Sequence, residues 1–136
     1  MQTRLQMILH GKRLILKYWH NYWIWVRYMN NELRQLLNEY NWDDGFDLPK
    51  ELLKNPNCDL ALALEIFYLA DGYSYLIDKS NNTSLKEWKF FVEKLYADIL
   101  EGKYIQTEST FENPLTKVQR YKLKMQQVPD IFLLDL

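Results

Sequence analysis

The chain of 136 residues carries 17 Lys and Arg against 18 Asp and Glu, and 48% of its side chains are apolar. That length fits one compact domain, and the mix of hydrocarbon and charge excludes collagen-like, disordered and membrane-embedded chains. A formal net charge of -1 gives no bulk attraction to nucleic acid or to an anionic membrane.

The N-terminus, Met-Gln-Thr-Arg-Leu, has no clean apolar core followed by a small-residue cleavage site, because Lys12, Arg13 and Lys17 interrupt the only hydrophobic candidate. The longest uncharged aromatic run, Tyr18 to Val26, falls far short of the roughly 20 apolar residues of a spanning helix. No secretory signal or transmembrane segment is expected. Lys12 to Tyr40 lacks Gly and Pro, and Ile15, Trp19, Tyr22, Val26, Met29, Leu33, Leu36 and Tyr40 recur in steps of four and three, the stripe of one long helix with Asn30-Asn31 as its candidate break. Tyr18, Trp23, Ile24 and Trp25 lie off the stripe, so this helix is apolar on more than one face.

Asn41 to Pro49 is predicted to be a loop around the turn signal Asp44-Gly45, followed by a short helix from Pro49 to Lys54 that Asn55-Pro56 stops. Asp59 is a predicted N-cap for Leu60 to Ala70, in which Glu65 is the only charge; Gly72 either ends this helix or lets a neighbouring backbone come close, and because Tyr73, Leu76 and Ile77 extend the apolar period the favoured expectation is one central helix over 59–78. Asp78 to Thr83 is a polar loop. Ser84 with Glu87 has the pattern of a capping box for a helix through Leu85, Trp88, Val92, Leu95 and Ile99, ending at Gly102. After Asn113-Pro114 a basic helix through Lys124 should carry Leu115, Val118 and Tyr121 on one side. The tail Ile131-Phe132-Leu133-Leu134 should dock, since leaving each such side chain in water forgoes about 1.5–3 kcal/mol. The expected architecture is all-α: a single-domain bundle of about five to six helices around residues 59–78. Residues 1–40 form its basic aromatic segment, 41–126 its core and 127–136 its docked tail.

Charge is unevenly placed. Residues 1–31 hold Arg4, Lys12, Arg13, Lys17 and Arg27 and no acid, whereas Glu39, Asp43, Asp44, Asp47, Glu51, Asp59, Glu65 and Asp71 face only Lys50 and Lys54. Lys117, Arg120, Lys122 and Lys124 then make a basic stretch. An acidic surface steers and orients a basic partner; the plainer account is a solvated acidic face.

Chemical motifs are sparse. There is no Gly-rich phosphate loop, H-E-x-x-H or G-x-S-x-G, and His10 and His20 stand ten apart without a neighbouring nucleophile. Cys58 is the only cysteine, so an intrachain disulfide, a thiolate zinc site and a redox pair are excluded, and a reducing cytoplasm fits. Asp43, Asp44, Gly45 and Asp47 lack the alternating ligands and closing glutamate of a calcium loop. No metal or cofactor is expected. Glu65 and Asp71 lie in or beside the most apolar stretch, where each needs a partner; a structural bond is the simpler account, and acid-base chemistry the alternative.

Asn41-Trp42-Asp43-Asp44-Gly45-Phe46, Cys58-Asp59-Leu60 and Phe67-Tyr68-Leu69-Ala70-Asp71-Gly72-Tyr73 together resemble a bacterial domain family of unknown function. That family is built around an N-W-D-x-G-F and C-D-L…F-Y-L-A-D-G-Y core, and Pro114 to Leu123 looks like its closing motif, so the similarity covers roughly residues 40–124. The resemblance implies a small helical domain and, for some members, genes near polymorphic toxin systems, where immunity proteins occur. It carries no catalytic residues.

The expectation is therefore a non-enzymatic, cytoplasmic immunity protein that binds a cognate toxin domain, with a basic nuclease as one such target. Asp43, Asp44, Asp47 and Glu51 would be its electrostatic contacts, and Trp42 or Phe46 its hydrophobic anchor. The alternative is a nucleic-acid-binding regulator using Arg4, Lys12, Arg13, Lys17 and the nearby aromatics, with strongly salt-dependent binding. A small enzyme using Glu65 and Asp71 ranks third.

Overall fold

The computed structural model of the protein describes residues 31–80 and 83–136, and every regular element among them is helical. Chain contacts divide the protein into two compact units, Met1–Cys58 and Asp59–Leu136. Among the described residues no helix is long and apolar enough to cross a membrane.

In the first unit, residues 31–38 are helical (α1) and bury Leu33 and Leu37, one turn apart. The inward stripe therefore runs Leu33–Leu37, and Leu36, expected on it, is only half-buried. Helix α1 stops before Tyr40, which is released into the following turn. The remainder of the long helix expected from Lys12 lies outside the described residues. One 3-10 turn, Trp42–Asp44, leads into α2, Asp47–Lys54, which starts two residues before the expected Pro49. Pro49 is tolerated there because a first-turn N–H has no helical acceptor. Asn55, extended at φ −66° and ψ 130°, ends α2 before Pro56, as the clash of a proline ring with a preceding helical residue requires.

The second unit contains α3 (Leu60–Leu69), α4 (Gly72–Ile77), α5 (Lys86–Leu100), α6 (Lys117–Met125) and a final 3-10 turn, Asp130–Phe132. Asp59 caps α3 as expected, its Oδ1 accepting the Leu62 N–H at 2.9 Å. Leu60 to Leu64, Ile66 and Phe67 are all buried, and α3 packs against both α4 and α5. The single central helix over 59–78 is not formed: Asp71 takes a left-handed conformation, φ 61°, and the chain turns between α3 and α4. A short polar side chain tolerates that conformation better than most. Gly72 follows because a Cβ at this position would stand only 2.4 Å from the buried Phe67 ring. The apolar spacing continues through Tyr75 and Leu76, both buried, on the far side of that interruption.

Helix α5 also departs from expectation at its start. It begins at Lys86 with Leu85 in the cap position and no capping side-chain bond, so the Ser84/Glu87 box is not made; Thr83 Oγ1 instead accepts the Leu85 N–H at 3.1 Å. Leu85 is exposed and Trp88 half-buried, the latter donating its indole N–H to the Ala70 carbonyl at 2.6 Å. Phe91, Val92, Leu95 and Ile99 form the buried face. At the other end the Gly102 N–H reaches the Ile99 carbonyl and the Lys103 N–H the Asp98 carbonyl, with Gly102 at φ +76°: the paired bonds of a Schellman stop.

The capping box of this chain is at α6, where Thr116 Oγ1 accepts the Gln119 N–H and Gln119 Oε1 accepts the Thr116 N–H. Helix α6 thus starts at Lys117 rather than at Pro114. Its expected inward residues Val118 and Tyr121 are exposed; Leu115, just before it, and Leu123 are the buried ones. The tail docks through Phe132 and Leu133, while Leu134 stays exposed, and Leu136 and Phe111 exchange backbone bonds in both directions. Phe132 sits at the centre of an aromatic cluster, 5.1 Å from the Phe67 ring and stacked 4.7 Å from that of Tyr96.

Candidate functional site

The acidic turn is built from its own backbone outward. Asn41 Oδ1 accepts the Asp43 N–H at 3.0 Å, its carbonyl accepts that of Asp44 at 3.0 Å, and the Trp42 carbonyl accepts that of Gly45 at 3.3 Å. An Asn in this position closes such a turn with its side-chain amide. Gly45 is at φ +95° with open space where a Cβ would stand, so the backbone conformation alone demands glycine. The Tyr40 hydroxyl donates to the Gly45 carbonyl at 2.6 Å and ties the turn to the end of α1. The Tyr40 and Trp42 rings meet edge to face at 5.5 Å and those of Trp42 and Phe46 at 6.3 Å. The Phe46 carbonyl then accepts the Lys50 N–H at 3.0 Å, in the first turn of α2.

This framework leaves Asp43, Asp44, Asp47 and Glu51 exposed, and Trp42 and Phe46 half-buried. Among the described residues, Asp43, Asp44 and Asp47 make no ion pair, and Glu51 meets only the exposed Lys54, at 3.9 Å. Asp47 lies in the first turn of α2, where the helix dipole favours negative charge. The field of the carboxylates is felt locally: the Tyr40 phenol is raised above its ordinary pKa by burial, then by the charges of Asp44 and Asp47. The six residues expected from sequence therefore lie on one short segment, whereas Tyr40 and Asn41, which hold it in shape, were not among them. The Asn preceding a Trp-Asp-Asp-Gly run is the signal that points to Asn41; nothing local points to Tyr40.

Other acids of the middle region are engaged internally. Asp59, almost fully buried, accepts from the Leu62 N–H and, at 2.7 Å, from the Thr107 hydroxyl. Asp71 is exposed and accepts from the Ser74 hydroxyl at 2.7 Å, and Glu39 from the Gln35 amide at 3.3 Å. Glu65 is half-buried within α3. Asp71 needs no partner of the kind that burial would demand, because it is not buried. No group of three or more potential metal ligands occurs among the described residues. Arg4, Lys12, Arg13 and Lys17, with His10, His20 and the aromatic run Tyr18 to Arg27, lie outside the described residues.

A small helical domain with an acidic aromatic turn is the class these features define. The family described as a domain of unknown function (DUF4274) matches residues 29–100, more than half of the chain, and the protein belongs to that family. The match takes in the turn, the Cys58-Asp59-Leu60 cap and the Phe67 to Tyr73 segment, and ends before Pro114 to Leu123. No curated protein and no solved structure matches the chain.

Proposed function

We propose that the protein is an immunity protein, which neutralises a cognate bacterial toxin domain by presenting the acidic turn to a basic surface on it. The observation that carries this reading is the outward display of Asp43, Asp44 and Asp47, unpaired with any described residue, on a turn fixed by four internal hydrogen bonds and backed by Trp42 and Phe46. Exposed carboxylates around a part-buried aromatic centre match the anatomy of a binding patch: charge sets encounter rate and orientation, and the rings supply contact area. Binding alone is sufficient for neutralisation, and no group in the turn is asked to react.

The test is co-expression with the toxin domain encoded beside its gene, followed by co-purification and growth rescue. Rescue is expected with the parent chain. In the purified pair, Asp43→Lys with Asp44→Lys should slow association most strongly at low salt, and Trp42→Ala should weaken the complex by tenfold or more, about 1.4 kcal/mol. Rescue and affinity unaffected by either change would overturn the assignment of this surface.

A further inference from the structure

Helix α6 turns an apolar stripe away from the body of its own unit. With 3.6 residues per turn, Val118, Tyr121 and Met125 share one narrow face, opposite the buried Leu123. They are 63%, 65% and 69% exposed. The rotation of the helix is fixed by Arg120, whose Nε donates to the Leu115 carbonyl at 3.1 Å and Nη2 to the Asn113 carbonyl at 3.0 Å, with Asp135 at 3.4 Å. The stripe is therefore held outward by bonds made on the other side. Lys117 and Lys124 flank it on one edge and Lys122 on the other; all three are exposed, and none pairs with a carboxylate among the described residues.

We infer that this face of α6 is a docking surface of the second unit, and that its occupant is an acidic segment of another protein carrying apolar anchors. Tyrosine and methionine are enriched in interface centres, and lysines at the edges suit carboxylates flanking an amphipathic helix. An anionic membrane would share the charge preference, but a nine-residue helix with three apolar side chains offers little to insert.

The full chain should be titrated with two synthetic helical peptides identical in their apolar stripe, one carrying glutamate and the other lysine at every charged position, with amide NMR shifts as the readout. The glutamate peptide is expected to shift α6 resonances and bind at least about tenfold more weakly at high salt or to Lys117→Glu with Lys122→Glu. Val118→Ser with Tyr121→Ser should abolish binding while leaving the circular dichroism unchanged, as both positions are exposed. Equal binding of the two peptides, or of neither, would overturn the proposal. So would α6-dependent binding to anionic vesicles, or α6-dependent self-association by sedimentation, either of which assigns the face to a different occupant.

Discussion

The acidic turn and the segment that closes the second unit spend polar side chains in opposite ways. Asn113 is buried, and each of its own polar groups is bonded within the unit, its carbonyl by Arg120 Nη2 at 3.0 Å. Its amide N–H donates to Asp135 at 2.7 Å, its Nδ2 to the Phe132 carbonyl at 2.8 Å, and its Oδ1 accepts the Leu115 N–H at 2.9 Å. The Phe132 carbonyl takes a further bond from the Tyr68 hydroxyl, so the aromatic centre of the unit is held by its backbone as well as by its ring. In the turn, by contrast, backbone and amide bonds do the holding and the carboxylates are left over. Polar groups hydrogen-bonded inside a fold stabilise it; charge left over at the surface contributes little to stability and is available to a partner.

That contrast is sharpened by substitutions on each side of it. Phe132→Ala, which empties the aromatic centre, should have the largest effect, a loss of about 3–5 kcal/mol by denaturant unfolding. Gly72→Ala should cost about 1–3 kcal/mol, because the buried Phe67 ring has no room to withdraw; a stability equal to the parent would show that the α3–α4 corner is looser than described. Asn113→Ala should cost a similar or slightly smaller amount, about 1–3 kcal/mol, by leaving buried partners unsatisfied.

A pH effect isolates one bond of the same region. Burial pushes the Tyr68 phenol up to about 12, outweighing the lowering effects of Asn113 and Arg120. The neutral form is the one favoured on folding, so its contribution is complete below the ordinary tyrosine value near 10 and is lost as pH rises from there through about 12. Unfolding curves on either side of that window should fall more steeply for the parent than for Tyr68→Phe; identical pH dependence would remove the phenol from the account. The smallest effect belongs to the turn: Asp43→Asn with Asp44→Asn should change stability by no more than about 0.5 kcal/mol. A large loss there would break the contrast, since it would mean that these carboxylates serve the fold.

Much of this organisation was legible in the sequence where a local rule and the packing agree. Asp59 caps α3, Pro56 ends α2 and Gly102 stops α5 because each acts through its own backbone or its nearest turn. The corner at Asp71 was not legible, since Tyr75 and Leu76 keep the apolar spacing of an unbroken helix and only the approach of Phe67 to Gly72 distinguishes the two paths. The pattern Ser84-x-x-Glu87 and the pattern Thr116-x-x-Gln119 look alike in sequence, yet only the second closes; at the first, the chain enters α5 through Leu85 with Thr83 holding its N–H. The facing of α6 was hidden for a similar reason. Two helical faces carry apolar residues, and the choice between them is made by Arg120 bonding to carbonyls before the helix, a contact no periodicity reveals. For the acidic turn, the Asp-Gly signal was enough to place the carboxylates at the surface, while the bond from Tyr40 that steadies them came only with the fold.

That bond from Tyr40 to Gly45, together with the Asn41 clasp, bears on how tightly anything could grip the turn. A loop that must be ordered on contact gives up conformational freedom at that moment, whereas this one has surrendered it during folding. The entropic penalty of association is thereby shifted onto the partner, and the recognition expected of such a pre-shaped hook is rigid docking with little backbone rearrangement on this side.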